Sequence, residues 1–332
     1  VFCAHGIETE GIRLLKINTT NFPRWLRNLS FAINQKRCLK SAPVDIMLGF
    51  GNILSLDVYQ SHGGVHNIWM EREIESCDNP KEKRIKALLL KSSFNQRVQK
   101  WIAEYPIRKR AYKRIVAISD MLKTHMAQHY KLKEDDFDVV YNGVDIKRFT
   151  PPAAQPSGDL KILFSAGNFR LKGLGPLIEA IGDISKKRRD FRLVVMGRGK
   201  RRRYSELIRR HNVTDLVVFL GEQTSPEKVY RESHMLVHPT FYDACSLTTM
   251  ESMASGLPTI TTKWNGASAL LSEGEGFVID DPRNVVELSG AISRLFDENL
   301  RISMGKAARQ KIEQFTMEKN AAAMENVLLS TL

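Results

Sequence analysis

The chain has 332 residues, 42% of them hydrophobic and 26% charged, and its 50 Lys and Arg exceed its 37 Asp and Glu for a formal net charge of +13. That length accommodates two domains, each large enough to bury a core, and the composition excludes disordered, fibrous and membrane-spanning classes. No apolar run approaches the ~18 residues needed to cross a bilayer, no secretory leader is read, and Cys3, Cys38, Cys77 and Cys245 lack metal or disulfide spacing, so free thiols in a reducing cytoplasm are expected.

In the first part of the chain, strands are expected over 1–6, 12–17, 44–51, 58–64, 114–119 and 138–144. Helices are expected over 24–41, 65–76, 119–131 and through the basic stretch between the fourth and fifth strands. Residues 1–150 hold 25 Lys and Arg against 16 Asp and Glu, whereas 151–332 hold 25 against 21. The excess is local: Lys81 to Arg114 carries twelve bases and two acids. An anionic membrane surface suits Lys81, Lys83, Arg84, Lys86, Lys91, Arg108, Lys109 and Arg110, with Leu88, Leu89, Leu90, Phe94, Trp101 and Tyr105 between them. The alternative is an amphipathic helix whose apolar stripe packs on its own domain. No nucleic-acid signature accompanies the charge, so no nucleic-acid partner is expected. Asp136-Phe137-Asp138, between a helix and a strand, suits turn and capping duty, and no metal is expected.

Residues 151–158, with three prolines among them, read as a linker. Beyond it, apolar strands over 160–167, 191–197, 216–221, 235–240, 256–262 and 275–280 alternate with helices over 175–187, 201–213, 225–234 and about 246–254. Continuous apolar strands spaced by helices predict a doubly wound parallel sheet. The expected architecture is therefore α/β: two Rossmann-like parallel-sheet domains facing a cleft, with ligands at the carboxyl ends of the strands. The first domain covers 1–150 and the second 159–315. Residues 316–332 form a terminal helix expected to cross back to the first.

Within the second domain, Ser165 to Ala180 is strand, loop and helix. Arg170 and Lys172 sit in the loop and glycines open the helix, a pattern that suits a phosphate. A solvated loop with ordinary surface cations is the competing reading. Gly197 begins a turn after a strand, and Arg198 to Arg203 reads as a solvated charge run. In "HPTFYDACSLTTMESMASGLPTITT" (His238 to Thr262), Ser246, Thr248 or Thr249 can cap a helix that Gly256 and Pro258 end. Asp243 precedes that helix and Glu251 lies on it. Glu251 can accept from a pair of ribose hydroxyls, and amides from Ser246 to Thr248 can receive phosphate or sugar oxygens. A capping-box or dipole-complementing carboxylate on the first turn is the simpler reading of Glu251.

Several motifs in one order carry a resemblance over nearly the whole chain: "LDVYQSHGGVHNIW" (Leu56 to Trp69), "YNGVDIKRF" (Tyr141 to Phe149), "NFRLKG" (Asn168 to Gly173), the acidic pair and "GLPTI". The chain resembles the retaining glycosyltransferases of family 4, with two Rossmann-type domains (GT-B), and within them the lipopolysaccharide-core sugar transferases. The family's E-x7-E pair matches Asp243 and Glu251, with Asp in place of the first Glu. That shorter side chain withdraws its carboxylate by one methylene.

The resemblance implies a metal-independent hexosyl transfer from a nucleotide diphosphate sugar, expected to be UDP-linked, to a lipid-linked cell-surface glycan such as a lipopolysaccharide core. No cofactor beyond the nucleotide-sugar is implied. Glu251 would bind the ribose and Asp243 the sugar. The Cys245, Ser246, Leu247 and Thr248 backbone would take hydroxyls and phosphate, and Arg170 and Lys172 would neutralise the leaving diphosphate. Gly167 and Asn168 would border the donor, Gly197 and Glu222 the base. His66, or its neighbour His62, would reach the sugar or acceptor. The protein would work on the cytoplasmic face of the inner membrane. Val1 falls at what reads as the second strand of such enzymes, so a longer natural chain is expected. A nucleotide-sugar 2-epimerase and a degenerate, non-catalytic binder of anionic surfaces are the alternatives.

Overall fold

The computed structural model describes residues 1–7, 10–42 and 44–332. Two compact units divide it: Val1–Met70, Asn79–Val140 and Ala322–Leu332 form unit 1, and Glu71–Asp78 with Tyr141–Ala321 form unit 2. Among the described residues, no helix is long and apolar enough to cross a membrane.

Unit 1 contains a parallel four-stranded sheet in the order β3 (Leu48–Gly49), β4 (Val58–Ser61), β5 (Arg114–Ala117), β6 (Phe137–Val139). The two expected N-terminal strands shrink to β1 (Phe2–Cys3) and β2 (Leu15–Lys16), which pair in parallel as a separate two-stranded sheet. Phe2, Cys3 and Leu15 are only half-buried and Lys16 is exposed, so little apolar burial extends them. Helix α1 (Arg24–Ser41) packs on α4 (Phe94–Arg108) through Ala32, Leu54 and Ile102. Helix α2 (His66–Glu75) opens in this unit and enters unit 2 in its second half.

The basic stretch is two helices instead of one. Asn79 caps α3 (Pro80–Ser92) by accepting from the Glu82 amide at 2.9 Å, with Pro80 at the first helical position. Ser93 then leaves helical geometry and caps α4 by accepting from Gln96 N at 3.3 Å. Helix α5 (Asp120–Tyr130) follows, with Ser119 accepting from Leu122 N. Asp136 caps locally, accepting from Lys133 N at 2.9 Å, while Asp138 receives both Nε and Nη2 of Arg114. Turn and ion-pair duty thus occupies both aspartates.

Unit 2 is built on six parallel strands in the order β12 (Gly276–Ile279), β11 (Thr259–Thr262), β10 (Met235–His238), β7 (Leu160–Ser165), β8 (Phe191–Met196), β9 (Val217–Gly221). The chain winds outward from β7 in one direction and returns to start again at β10. The loops after β7 and β10 therefore diverge at a switch point, where a doubly wound sheet leaves a crevice. Strand residues Ile162, Phe164, Leu193, Val195, Val237 and Ile260 form the core with Leu177 and Ile181 of α6 (Leu174–Ser185). Each such side chain contributes about 1.5–3 kcal/mol on burial.

Two helices that the sequence reading left unassigned, α10 (Val285–Arg294) and α11 (Glu298–Ile312), cover the sheet; Asn284 and Asp297 cap them. The expected helix over 201–213 resolves into a 3-10 turn, Arg201–Tyr204, and the short α7 (Ser205–Arg210). Helix α8 (Pro226–Arg231) precedes β10, and α9 (Leu247–Ala254) follows it. The last helix, α12 (Met317–Leu329), begins in unit 2. Its Met324 and Val327 pack with Val58, Val116 and Val140 in unit 1.

Candidate functional site

The loop from Ala166 to Gly173 leaves β7, and the loop from Pro239 to Ser246 leaves β10. Gly173 sits at φ 84°, and a Cβ there would lie 2.0 Å from the Pro239 carbonyl oxygen. Only glycine lets the first loop approach the second this closely. Gly197, ending β8 at φ 123°, is equally constrained: a Cβ would meet the Ala166 oxygen at 1.8 Å. Gly173 and Gly197 thus act by backbone proximity, whereas a Cβ at Gly167 would meet nothing within 4 Å.

This approach joins Lys172 to Asp243. Lys172 Nζ lies 2.6 Å from Asp243 Oδ2 and donates to the Tyr242 carbonyl at 2.9 Å. Both side chains are about four-fifths buried, with 18% and 20% exposure. Burial alone would raise the Asp243 carboxyl; the Lys172 ammonium and the adjacent His238 outweigh it and hold the group well below the usual carboxylate range. His238, 1% exposed, sets Nε2 3.7 Å from Asp243 Oδ2, and burial lowers its own pKa. The Asp243 main chain is pinned too, its N–H on Trp264 O and its carbonyl accepting from Gly266 N.

Arg170 does not share that contact. It forms an ion pair with Glu73, and its Nε donates to Ser76 Oγ at 3.2 Å. Asn168 Nδ2 also reaches Glu73, at 3.5 Å. Glu73 is 4% exposed. The apolar periodicity of α2 drew no attention to this acid, 97 residues from Arg170 in sequence. An anion that uses Arg170 must share its guanidinium with Glu73.

Helix α9 starts as expected, with Ser246 the cap of the three candidates: its Oγ accepts from Thr249 N at 3.3 Å. The Ser246 amide, however, is committed to Asn265 Oδ1 at 3.2 Å. Of the three amides expected to receive oxygens, those of Leu247 and Thr248 remain without an acceptor among the described residues. Asn265, fully buried, is the hub here: its Nδ2 also donates to Thr249 Oγ1 and Thr261 Oγ1. Nothing in its sequence context marked it. Cys245 is buried and its thiol is pushed up to about 12 by burial, so it contributes backbone, not thiolate chemistry. Its carbonyl accepts from Asn142 Nδ2 at 3.1 Å.

Glu251 accepts from the Tyr230 hydroxyl at 2.9 Å. Burial raises its carboxyl, against the Tyr230 hydrogen bond and Arg148. The simpler capping role fails on geometry: Ser246 holds the cap, and Glu251 lies on the second turn. Glu222, at the end of β9, is exposed and pairs with Arg198 Nε at 2.6 Å. Such an exposed pair adds little stability.

The two histidines belong to unit 1. His66 opens α2 beside Trp69, its Nε2 buried without a partner among the described residues, and lines a cavity of about 330 Å³ with Phe50, Asn52 and Tyr59. Burial, then Lys100, lowers its pKa against Glu104; burial lowers His62 as well. Neutral imidazoles at neutral pH follow.

The basic segment divides by exposure. Lys81, Arg84, Lys91, Arg108, Lys109 and Arg110 are exposed, with Arg108 also 2.5 Å from Glu104, whereas Lys83 and Lys86 are half-buried with partners of their own. Leu90 and Ile102 are buried, but Ile85, Leu88 and Leu89 on α3 are 60–69% exposed. A stripe at i, i+3 and i+4 faces solvent among cations, so packing within its own unit does not account for it.

Known proteins share both parts of this chain. The model of the "Glycosyl transferases group 1" family matches residues 146–311, and that of "Glycosyltransferase Family 4" matches 3–148. A D-inositol 3-phosphate glycosyltransferase of Paenarthrobacter aurescens is 28% identical over 63% of this chain and 55% of its own length. The chain spans about half the length of that protein and of other such enzymes it matches. The lipopolysaccharide glucosyltransferase WaaG of Escherichia coli is 20% identical over 90% of this chain and 81% of its own. Among solved structures, WaaG superposes with a TM-score of 0.79 at 19% identity, covering 98% and 90% of the two chains. Anabaena HepE in complex with UDP and glucose gives 0.69 at 17%, covering 97% and 87%.

Proposed function

The chain belongs to the group 1 glycosyl transferases, with the GT-B fold, and on that premise we propose that it moves a hexose from UDP-hexose to a lipid-linked glycan with retention at the anomeric carbon. The observation that carries this reading is the Lys172–Asp243 contact at 2.6 Å, made by the two loops that diverge at the switch point. The pair supplies a cation for a diphosphate and an acceptor for sugar hydroxyls within one side-chain length. The Leu247 and Thr248 amides, at the positive end of α9, take phosphate or sugar oxygens. Glu251, about one turn further along α9, accepts from the ribose hydroxyls.

In this mechanism Lys172 lowers the energy of the departing diphosphate as its charge develops. Arg170 adds a second cation once the diphosphate competes with Glu73. Asp243, held ionised, orients the sugar and stabilises positive charge at the anomeric carbon. The departing phosphate oxygen takes the proton of the acceptor hydroxyl on the same face, which preserves configuration. No metal enters this scheme.

Thermal unfolding with UDP, GDP, ADP, CMP and UDP-hexoses tests the donor. A dissociation constant of ~10 μM would add about 2.7 kcal/mol at ~1 mM ligand, a midpoint rise of a few degrees. The reading expects a rise with UDP that Glu251→Ala abolishes, and UDP release with UDP-hexose and acceptor. No rise with any nucleotide refutes it.

The exposed Ile85, Leu88 and Leu89 with Lys81, Arg84 and Lys91 suit an anionic bilayer on which a lipid-linked acceptor resides. At about 1 kcal/mol per base near such a surface, reversing these three charges is expected to weaken binding to vesicles containing anionic lipid by at least ~10²-fold. Co-sedimentation at two salt concentrations checks it; equal binding by the variant excludes the surface.

A further inference from the structure

A second cavity, of about 330 Å³, lies in unit 2 at the amino-terminal edge of the sheet, lined by residues just before β10 and β11 and by α11. The loops that carry Lys172 and Asp243 are at the opposite edge. Its walls combine the apolar Pro151, Leu257 and Ile302 with three cations, Arg301, Lys306 and Arg309, and include no acid.

Arg301 is the unexplained group. It is 9% exposed, and only its Nη1 is satisfied, by the Leu295 and Phe296 carbonyls at 3.1 and 3.4 Å. Nε is shut off from solvent with no acceptor among the described residues. No carboxylate is within ion-pair distance of the guanidinium among the described residues. Glu298 and Asp297 act on this buried charge only from beyond ion-pair distance, and the carbonyls that end α10 offset its cost only in part. Nη2 also has no partner among the described residues and, unlike Nε, is not closed to solvent, so it is the atom that can donate to an oxyanion in the cavity. Arg309 is consumed structurally: its Nη1 donates to Ile146, Phe149 and Ala254 carbonyls and its Nε to Glu313. Lys306 is exposed, with no partner among the described residues.

The geometry points to a binding site for a small phosphate monoester, its phosphate held by Arg301 Nη2 and by Lys306, its carbon frame against Pro151, Leu257 and Ile302. The cavity reaches the size of small-molecule sites, which is more than a bare phosphate fills. Standing at the far edge of the sheet, this site does not share residues with the donor loops.

Isothermal titration with glycerol 1-phosphate and with inorganic phosphate, at constant ionic strength held by chloride, tests the site in the whole chain. Saturable binding is expected for the ester, unchanged in Arg170→Met, which removes a cation of the donor loops. Arg301→Gln is expected to weaken it by at least about tenfold, and Lys306→Met by about three- to tenfold. Should Arg301→Gln not fold, Lys306→Met decides alone. No saturable binding, or binding that Arg170→Met removes and Lys306→Met leaves intact, overturns the site. Binding of inorganic phosphate as tight as that of the ester overturns the ester assignment.

Discussion

Replacing Lys172 with Met is expected to lower kcat/KM for glycosyl transfer by about 10²–10³-fold, the usual effect of deleting one preorganised group aimed at developing negative charge. The loss should fall mainly on kcat, because the diphosphate charge that Lys172 meets grows as the bond breaks. The same change strips Asp243 of its counter-charge in a site about four-fifths buried. Burial then prevails and the Asp243 carboxyl moves upward. In the wild type, its depressed pKa contributes stability that is complete above the ordinary carboxylate range and is lost as the pH falls through the depressed value. In Lys172→Met that contribution vanishes, and activity should decline on acidification at a higher pH than in the wild type. Adding Asp243→Asn should recover stability without recovering turnover, because it removes the unpaired charge but not the need for it. Steady-state kinetics across pH 4–8 and urea unfolding check both parts; a Lys172→Met enzyme within threefold of wild type would sink the role assigned to the pair.

Glu251→Gln is expected to weaken UDP binding by about 10²-fold, as two charge-assisted hydrogen bonds to ribose become neutral ones. The apo protein should at the same time gain stability. Glu251 has a raised folded pKa, so its contribution is fully present below the ordinary carboxylate range and is lost as the pH rises through the raised value. Glutamine keeps an acceptor for the Tyr230 hydroxyl without that penalty. The wild-type stability curve should therefore sag on the alkaline side of the carboxylate range where the variant stays flat. Asp243 acts on the acidic side, so the two windows are separable in one pH series. A ligand site that is unfavourable until occupied is the usual trade between stability and function. A variant that is less stable at neutral pH would instead make Glu251 a structural residue.

Glu251 and Lys172 illustrate how far local chemistry reaches. Ser246, Ser119 and Asn79 cap helices because a side-chain oxygen finds an amide three residues on, a relation contained in the sequence. The apolar runs of β7, β8 and β10 are equally local, and with their helical spacers they specified a parallel doubly wound sheet. The spacing of Asp243 and Glu251 around a helix start marked one of the two loops that meet at the switch point, and two cations beside a glycine marked the other. Of the solvent-facing apolar residues of α3, Leu88 and Leu89 were legible beside their lysines, whereas Ile85, the burial of Leu90 and the break at Ser93 were not.

Tertiary structure alone decided which of those groups meet. Lys172 and Asp243 are 71 residues apart and Arg170 and Glu73 are 97 apart, so their pairing depends on strand order and on where α2 passes. Both cations were expected at the diphosphate; folding left one with Asp243 and gave the other a buried acid. Asn265 drew the Ser246 amide away from any ligand, and Arg301 was buried with no acid in ion-pair contact among the described residues. Burial and partnership set the charge state of each of these groups, and both are properties of a neighbourhood assembled from distant segments. Sequence determined the elements, their caps and the candidate residue types, because those follow from interactions within a turn or a strand. The chemistry of each site was decided by the desolvation and pairing that only the packed chain supplies.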